Sequence, residues 1–142
     1  MAGRLGADAV IPSEDDVPGR VRDMNGGRGV DRVLLCTAAV PAFDQAFRSA
    51  DRGGTILIFG VAAPGTTVPY PAFDLWNEGI TLLHTYAGAP GDIETALELM
   101  SAGGIDVGPT VTHRLPLEET QKGFRLVAEA GPSLKVIVEP QR

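Results

Sequence analysis

The sequence has little cysteine, little histidine and little positive charge. Its 142 residues include one cysteine and two histidines, which excludes an intramolecular disulfide framework and a cysteine-rich zinc site. We therefore expect a reducing, cytoplasmic compartment. Twelve basic residues against 18 acidic ones give a net charge of −6, and no basic block is present, so nucleic acid is not expected as a partner. No apolar run approaches the roughly 20 residues of a membrane span, so we expect a soluble chain without a membrane partner.

Two short apolar runs predict strands of a parallel sheet. Residues 31–36 and 55–59 are almost continuously apolar, which is typical of strands buried on both faces. Between them, apolar residues recur at helical spacing from position 43 to position 50, and Pro41 suits a first helical turn. The pattern therefore predicts a β-α-β crossover whose helix ends at the glycines 53 and 54.

The same patterns predict further elements on both sides of this crossover. Additional strands are expected at residues 7–11, 80–86 and 134–138. A helix is expected at residues 15–25, and residues 61–71 are expected to form a loop. Two later helices are expected, the first opening at Pro90 with a buried stripe of Ile93, Ala96, Leu97 and Met100, the second carrying Phe124, Val127 and Ala128. The alternation of helices and strands predicts the α/β class.

Several segments, in this order and at this spacing, resemble one enzyme family. They are Arg4-Leu5-Gly6-Ala7-Asp8, Gly29-Val30-Asp31 before Cys36-Thr37, Gly53-Gly54-Thr55, Val111-Thr112-His113-Arg114-Leu115-Pro116-Leu117, Gly123-Phe124 and Ser133-Leu134-Lys135. Through these segments, nearly the whole chain resembles the C-terminal part of a zinc-dependent medium-chain alcohol dehydrogenase. The resemblance is to the branch that contains sorbitol and threonine dehydrogenases.

The resemblance implies a partial Rossmann-like fold. Relatives have a doubly wound parallel sheet with strand order 3-2-1-4-5-6, and this chain resembles the second half of it. A partial dinucleotide-binding domain without its first two strands is implied for residues 1–87. A C-terminal helix-strand-helix-strand return segment, which in relatives packs on a catalytic domain, is implied for residues 88–142. Since residues 7–11 would then lack their usual neighbours, we expect them either to pair directly with residues 33–36 or to be disordered.

The resemblance also implies where a cofactor binds. Relatives bind NAD or NADP, and their zinc ligands and glycine-rich pyrophosphate turn precede the part that this chain resembles. The chain has no G-x-G-x-x-G motif, and its glycines at 26, 27 and 29 follow a predicted helix, which is typical of a helix-ending turn. Ligands of open α/β sheets bind beyond the carboxyl ends of the strands. The cofactor contacts that the resemblance implies are Cys36, Thr37, Phe59, Gly60, Val61, Thr85, Ala87 and Lys135.

Four side chains near these positions allow more than one interpretation. We interpret Cys36 as a small buried side chain rather than a reactive thiol, since no base or metal partner is evident nearby in sequence. His84, next to the implied nicotinamide pocket, is either a proton carrier or, as we favour, a solvent-facing or hydrogen-bonded strand histidine. His113 is interpreted as structural. Lys135 is either a cation near the pyrophosphate or an ordinary charge on the last strand.

Three functions remain open. The first is a truncated alcohol or polyol dehydrogenase, inactive as this chain alone, whose family reaction is the NAD(P)-dependent oxidation of a secondary alcohol or polyol; the small alcohol substrate and the zinc belong to full-length relatives. The alternative is a non-catalytic interaction module that dimerises with itself or with a relative. The resemblance makes residues 80–86 a dimer edge, so a homodimer is expected. A domain that binds another nucleotide is disfavoured because no glycine-rich phosphate loop is present.

Overall fold

The protein was analysed as a computed structural model, which describes residues 1–60, 62–129 and 131–141. The chain divides into two compact units, Met1–Ala87 and Gly88–Arg142. Each unit contains helices and one parallel sheet, which confirms the predicted α/β class. Among the described helices, none has the length and apolar character needed to cross a membrane.

The first unit is built on a three-stranded parallel sheet. Its elements are α1 (Val17–Met24), β1 (Val30–Leu35), α2 (Val40–Ser49), β2 (Ala50–Ile58), α3 (Ala72–Asn77) and β3 (Thr81–His84). The strands lie in the order β1-β2-β3, so β2 is the central strand. The β-α-β crossover that the two apolar runs predict is present as β1, α2 and β2.

The core of the first unit lies between α2 and the sheet. Ile56 on the central strand is completely buried, and Leu35 on β1 is only 5% exposed. The buried apolar residues of α2 are Phe43, Ala46 and Phe47, which stand at the helical spacing that the sequence predicts. This face of α2 packs on the strands because burial of aromatic and aliphatic side chains is the main stabilising contribution available to a unit of this size.

The glycines at 53 and 54 lie inside β2, so the prediction that they end the preceding helix is wrong. The helix ends at Ser49, and Ala50 is already extended, with φ −67° and ψ 144°. The pairing register between β1 and β2 shifts beside this segment. Gly53 adopts a φ of +72° and donates its N–H to the Glu78 carbonyl at 2.7 Å. A glycine without a Cβ adopts this conformation readily, so Gly53 forms an irregularity within the strand rather than a helix end.

The predicted strand at residues 7–11 is also wrong. These residues form no strand, and the described part of the first sheet contains only β1, β2 and β3. The expected direct pairing of this segment with residues 33–36 is therefore absent. A five-residue segment that is almost entirely exposed gains neither interstrand hydrogen bonds nor a buried face, and both are needed to stabilise a strand.

The second unit has the helix-strand-helix-strand order that the resemblance implies. Its elements are α4 (Pro90–Ser101), β4 (Val111–Pro116), α5 (Thr120–Glu129) and β5 (Lys135–Glu139), and β4 and β5 are parallel. Helix α5 packs closely on this sheet at Gly123, where an added Cβ would lie 3.4 Å from side-chain atoms of both Leu115 and Val136. The small residue at this position therefore sets the separation between helix and sheet.

The predicted buried stripe of α4 is exposed, so that prediction is wrong. Helix α4 has no buried residue, and Ile93, Leu97 and Met100 are 57%, 55% and 40% exposed. In α5, Phe124 and Val127 are likewise 75% and 58% exposed. The amphipathic pattern identifies an apolar face, but burial of that face depends on a packing partner. In this unit α5 packs on the sheet, and it does so at Gly123 rather than through Phe124 and Val127. The sheet therefore does not cover the apolar face of α4.

Candidate functional site

The candidate site lies where the three strands of the first unit end. The last residues of these strands are in register, because Leu35 pairs with Ile58 and Ile58 pairs with His84. Parallel strands place all their carboxyl ends at one edge of the sheet. The residues that follow each strand are therefore neighbours at that edge, although they are far apart in the sequence.

Hydrogen bonds hold the chain segments that leave this edge. The N–H groups of Phe59 and Gly60 both donate to the carbonyl of Leu35, at 3.0 and 2.8 Å, and the N–H of Thr85 donates to the carbonyl of Ile58 at 3.2 Å. The backbone beyond β2 is thus bound to the end of β1, and the backbone beyond β3 to the end of β2. The residues that follow the strands are therefore held in place by hydrogen bonds to the paired strand ends.

Gly60 and Thr37 form the tightest approach at this edge. A Cβ added to Gly60 would lie 2.5 to 2.6 Å from the backbone N, C and O atoms of Thr37, so only glycine fits without a shift of the backbone. Gly60 is not among the glycines with positive φ, so glycine is required here by space and not by backbone conformation. The Thr37 hydroxyl in turn accepts a hydrogen bond from the N–H of Ala39 at 3.3 Å.

Most of the residues at this edge are accessible to a ligand. Cys36, Thr37, Phe59, Thr85 and Ala87 are exposed. Phe59 is 58% exposed, although it directly follows the central strand β2. The paired strand ends bring together five of the residues that the resemblance implies, Cys36, Thr37, Phe59, Gly60 and Thr85, and Ala87 follows two residues after Thr85. Val61, which was also implied, lies outside the described residues.

Cys36 is exposed, so its interpretation as a small buried side chain is wrong. The cysteine follows the last residue of β1, which lies at one side of the described sheet, and the core extends only to Leu35. Side chains alternate between the two faces of a strand, so Cys36 continues the face of Leu34, which is 66% exposed, and not the face of Leu35, which packs in the core. Strand β1 is therefore not buried on both faces, contrary to the prediction from its apolar run.

Ala87 adopts a backbone conformation that is rare for a residue with a side chain. Its φ is +56°, and it is the only non-glycine residue with positive φ among those the structure describes. Such a conformation costs roughly 1 to 2 kcal/mol for a residue other than glycine. Strained residues of this kind cluster at ligand sites and switch regions, and Ala87 lies just beyond β3.

The two histidines have different surroundings. His84, the last residue of β3, is exposed, as the solvent-facing interpretation expects. In the second unit, His113 lies half-buried with its Nδ1 3.0 Å from the Thr112 hydroxyl. That hydroxyl also accepts the N–H of Leu134 at 3.0 Å and donates to the carbonyl of Lys135 at 3.2 Å. His113 is thus part of the contact between β4 and the start of β5, which favours a structural role.

Lys135 is the one implied cofactor residue that belongs to the second unit. It is the first residue of β5 and is exposed. It pairs with Val111 on β4. The structure therefore assigns Lys135 to a different compact unit from the other implied contacts.

The described residues do not provide a metal site. No group of three or more histidine, cysteine, aspartate or glutamate side chains stands close enough to hold a metal ion in the part of the chain that the structure describes. Catalytic zinc takes three protein ligands of these types. The residues present therefore do not fit the zinc that the resemblance associates with full-length relatives.

The first unit also contains a cavity that the sequence did not predict, at the amino ends of the strands. It has a volume of about 480 Å³ and lies near the start of β2. Its lining residues are Arg22, Asp44, Phe47, Arg48, Ala50, Asp51, Arg52, Pro71, Asp74, Leu75, Glu78 and Ile80. Its charged residues form local ion pairs, such as Arg48 with Asp44 at 2.7 Å and Arg52 with Glu78 at 3.9 Å. No run of like residues marks this cavity in the sequence, because its lining comes from separate helices and strands.

The structure lowers the pKa of Asp51, which lines this cavity. A hydrogen bond from the backbone of Arg52 and another from the Arg28 side chain lower the pKa of Asp51 below its ordinary value of 3.8. The Arg28 Nε lies 2.7 Å from the carboxylate. Asp51 therefore remains charged in the folded protein to lower pH than in the unfolded chain.

The chain is similar to dehydrogenases along almost all of its length. The family model for zinc-binding dehydrogenases matches residues 1–102. An L-threonine 3-dehydrogenase of Bacillus velezensis is 32% identical over 146 residues, which cover 99% of this chain and 40% of that protein.

Two solved structures show the same likeness. An alcohol dehydrogenase of Thermotoga maritima superposes with a TM-score of 0.87 at 27% identity, over 96% of this chain and 39% of the other. A zinc-binding dehydrogenase of Sinorhizobium meliloti, solved bound to NADP, gives a TM-score of 0.86 at 28% identity, over 98% of this chain and 41% of the other. The chain thus spans about 40% of the length of these relatives. The chain belongs to the zinc-binding dehydrogenase family, and it corresponds to the C-terminal part of the medium-chain alcohol dehydrogenases.

Proposed function

We propose that the carboxyl edge of the β1-β2-β3 sheet holds the nicotinamide half of NAD or NADP. The observation that carries this proposal is the joined and exposed backbone at the ends of the three strands, with Leu35 accepting two hydrogen bonds and Ile58 a third. Ligands of open α/β sheets bind at this edge. The family to which the chain belongs is NAD(P)-dependent, and one relative of known structure is bound to NADP.

In this proposal the chain's own residues bind and orient the nicotinamide group. Main-chain groups of Phe59, Gly60, Thr85 and Ala87 contact its carboxamide, and Cys36 with Thr37 borders the ribose. The resemblance adds Val61 to the residues that contact the carboxamide. When bound, the nicotinamide ring supplies hydride transfer. Main-chain contacts suit this role because their positions are fixed by the paired strands rather than by mobile side chains.

For the second unit, taken by itself, we propose that Lys135 is a cation for pyrophosphate, as the resemblance implies. Its exposed side chain carries a positive charge that offsets phosphate charge. The rest of the dinucleotide site, and the zinc, are assigned to the parts of full-length relatives that this chain does not match. The reaction of the whole enzyme is then the oxidation of a secondary alcohol or polyol, and we expect no turnover by this chain alone. The single cysteine favours a reducing, cytoplasmic compartment for it.

The test is a titration of the 142-residue chain with the two halves of the cofactor. Nicotinamide mononucleotide and NAD⁺ are expected to shift the backbone amide resonances of Thr37, Gly60 and Thr85 with a Kd of about 1 mM, equivalent to about −4 kcal/mol. Adenosine monophosphate is expected to leave these resonances unchanged. Equal shifts with adenosine monophosphate, or none with nicotinamide mononucleotide, would contradict the proposal.

A second proposed function is self-association through β3. This strand pairs only with β2 among the described residues, so its other side leaves N–H and C=O groups without strand partners. Leu83 and Tyr86 beside this edge are 49% and 95% exposed. We propose that two copies pair along this edge, which would make the chain a dimerisation module even without catalysis.

Light scattering at tens of micromolar chain tests this second function. A dimer mass is expected for the wild type and a monomer mass for Leu83→Lys. Leu99→Lys is the matched control, because Leu99 is 46% exposed but lies in α4, and it is expected to remain dimeric. A monomeric wild type would remove the proposal.

A further inference from the structure

We propose that Gly60 is a positioning residue that sets the backbone of Thr37 at the cofactor edge through steric contact. The inference rests on the proposed function, since it concerns the same site. It goes further by assigning to Gly60 an action on a neighbouring segment, in addition to any contact of Gly60 with the cofactor.

The first step is the bend of the chain after β2. Two successive N–H groups, those of Phe59 and Gly60, donate to the single carbonyl of Leu35. A regular parallel ladder would give that carbonyl only one strand partner. The double interaction draws the chain beyond β2 toward the end of β1 and brings the Cα of Gly60 against the Thr37 backbone.

The second step is the absence of space for a Cβ between Gly60 and the Thr37 backbone. Any Cβ at Gly60 would lie as close as 2.5 Å to the Thr37 backbone, whereas ordinary contacts begin at 3.4 Å. Substitution by alanine must therefore move the two segments apart by about 0.9 Å, and only backbone atoms are available to move. Misplacement by about 1 Å in a binding site can reduce the rate of the reaction it supports by about a hundredfold.

The third step is that Thr37 is hydrogen-bonded to the turn that follows it. Its hydroxyl accepts the N–H of Ala39 at 3.3 Å, so a shift of Thr37 moves the connection between β1 and α2 as well. The site thus contains two adjoining backbone surfaces, after β1 and after β2, whose spacing is fixed by the missing side chain of Gly60. A nicotinamide riboside that contacts both surfaces would be sensitive to this spacing.

The chain contains a matched control for the Gly60→Ala variant. A Cβ at Gly29 would lie 2.7 Å from backbone atoms of Ser49, Ala50 and Asp51, and Gly29 also lacks a positive φ. This contact is nearly as tight and also joins β1 to β2, but it lies at the amino ends of these strands. Gly29→Ala therefore reproduces the steric conflict without touching the candidate site.

The experiment compares Gly60→Ala and Gly29→Ala with the wild-type chain. Without ligand, Gly60→Ala is expected to shift the amide resonances of Thr37 and Ala39, whereas Gly29→Ala leaves them unchanged. Both variants are expected to lower the melting temperature. Gly60→Ala is expected to weaken the binding of nicotinamide mononucleotide at least tenfold, and Gly29→Ala to bind it as the wild type does.

Three results would overturn the inference. They are unchanged Thr37 and Ala39 resonances in Gly60→Ala, unchanged affinity in that variant, or an equal loss of affinity in Gly29→Ala, which would assign the effect to stability.

If Gly60→Ala does not fold, the pair Thr37→Ala and Thr37→Ser replaces it. The alanine variant loses the hydrogen bond to Ala39 and is expected to bind more weakly, and the serine variant to restore binding; equal binding by both would contradict the inference. If the wild type binds no nicotinamide mononucleotide, the proposed function itself fails. The resonances of the ligand-free variants still report whether Gly60 determines the position of the Thr37 backbone.

Discussion

Replacement of Ala87 by glycine is expected to stabilise the first unit. Ala87 has a φ of +56°, which costs an alanine roughly 1 to 2 kcal/mol and a glycine almost nothing. The greater freedom of glycine in the unfolded chain offsets roughly 0.4 to 1 kcal/mol of this gain. The midpoints of these ranges differ by about 0.8 kcal/mol in favour of glycine, which raises the melting temperature of a unit of this size by about 3 to 6 °C.

Ala102→Gly provides the control of opposite sign. Ala102 has an ordinary φ of −76°, so the same substitution relieves no strain there and is expected to destabilise by about 0.4 to 1 kcal/mol through the greater freedom of glycine in the unfolded chain. Because the two alanines lie in different units, thermal unfolding is followed by amide resonances of Ile56 for the first unit and Leu115 for the second. A loss of stability in Ala87→Gly as large as that in Ala102→Gly would refute the assignment of strain to Ala87.

Three further substitutions test the core, the cation and the titrating carboxylate. Ile56 is fully buried and Ile93 is 57% exposed, so Ile56→Ala is expected to lose about 3 kcal/mol and Ile93→Ala less than about 0.5 kcal/mol in urea unfolding; equal losses would contradict the assigned core. Lys135→Gln is expected to weaken NADP⁺ binding about tenfold in calorimetry through loss of a charge-assisted contact. Lys122→Gln, which removes the same charge from an ion pair with Glu119, is expected to leave NADP⁺ binding unchanged. Because the folded state lowers the pKa of Asp51, the stability that Asp51→Asn loses is present above the ordinary value of 3.8 and is expected to vanish as pH falls through the lower pKa of the folded state; a loss independent of pH would contradict this prediction.

The central crossover could be predicted from the sequence because its signals are local. Strands β1 and β2 appear as apolar runs, and the buried face of α2 appears as Phe43, Ala46 and Phe47 at helical spacing. Residues 7–11 carry a similar but weaker pattern and form no strand. Whether such a segment becomes a strand depends on a neighbour that supplies hydrogen bonds, and the pattern contains no information about that neighbour.

The details of the site depend on contacts between distant parts of the chain. The strand ends could be located from the apolar runs, and the rule for open α/β sheets indicated the end of the sheet at which a ligand is expected. The exposure of Cys36 and the contact between Gly60 and Thr37 depend on how β1 and β2 are placed in register, which no single segment encodes. The exposed stripe of α4 shows the same limit, because a helical pattern identifies an apolar face but not what covers it.

The position of the nicotinamide ring on the chain tests the account most directly. Nuclear Overhauser contacts between the ring protons of nicotinamide mononucleotide and the backbone protons of Gly60 and Thr85 are predicted at saturating ligand. Contacts of the ring protons with Phe47 or Leu75, which line the cavity at the opposite edge of the sheet, would contradict the assignment of the cofactor to the carboxyl ends of the strands.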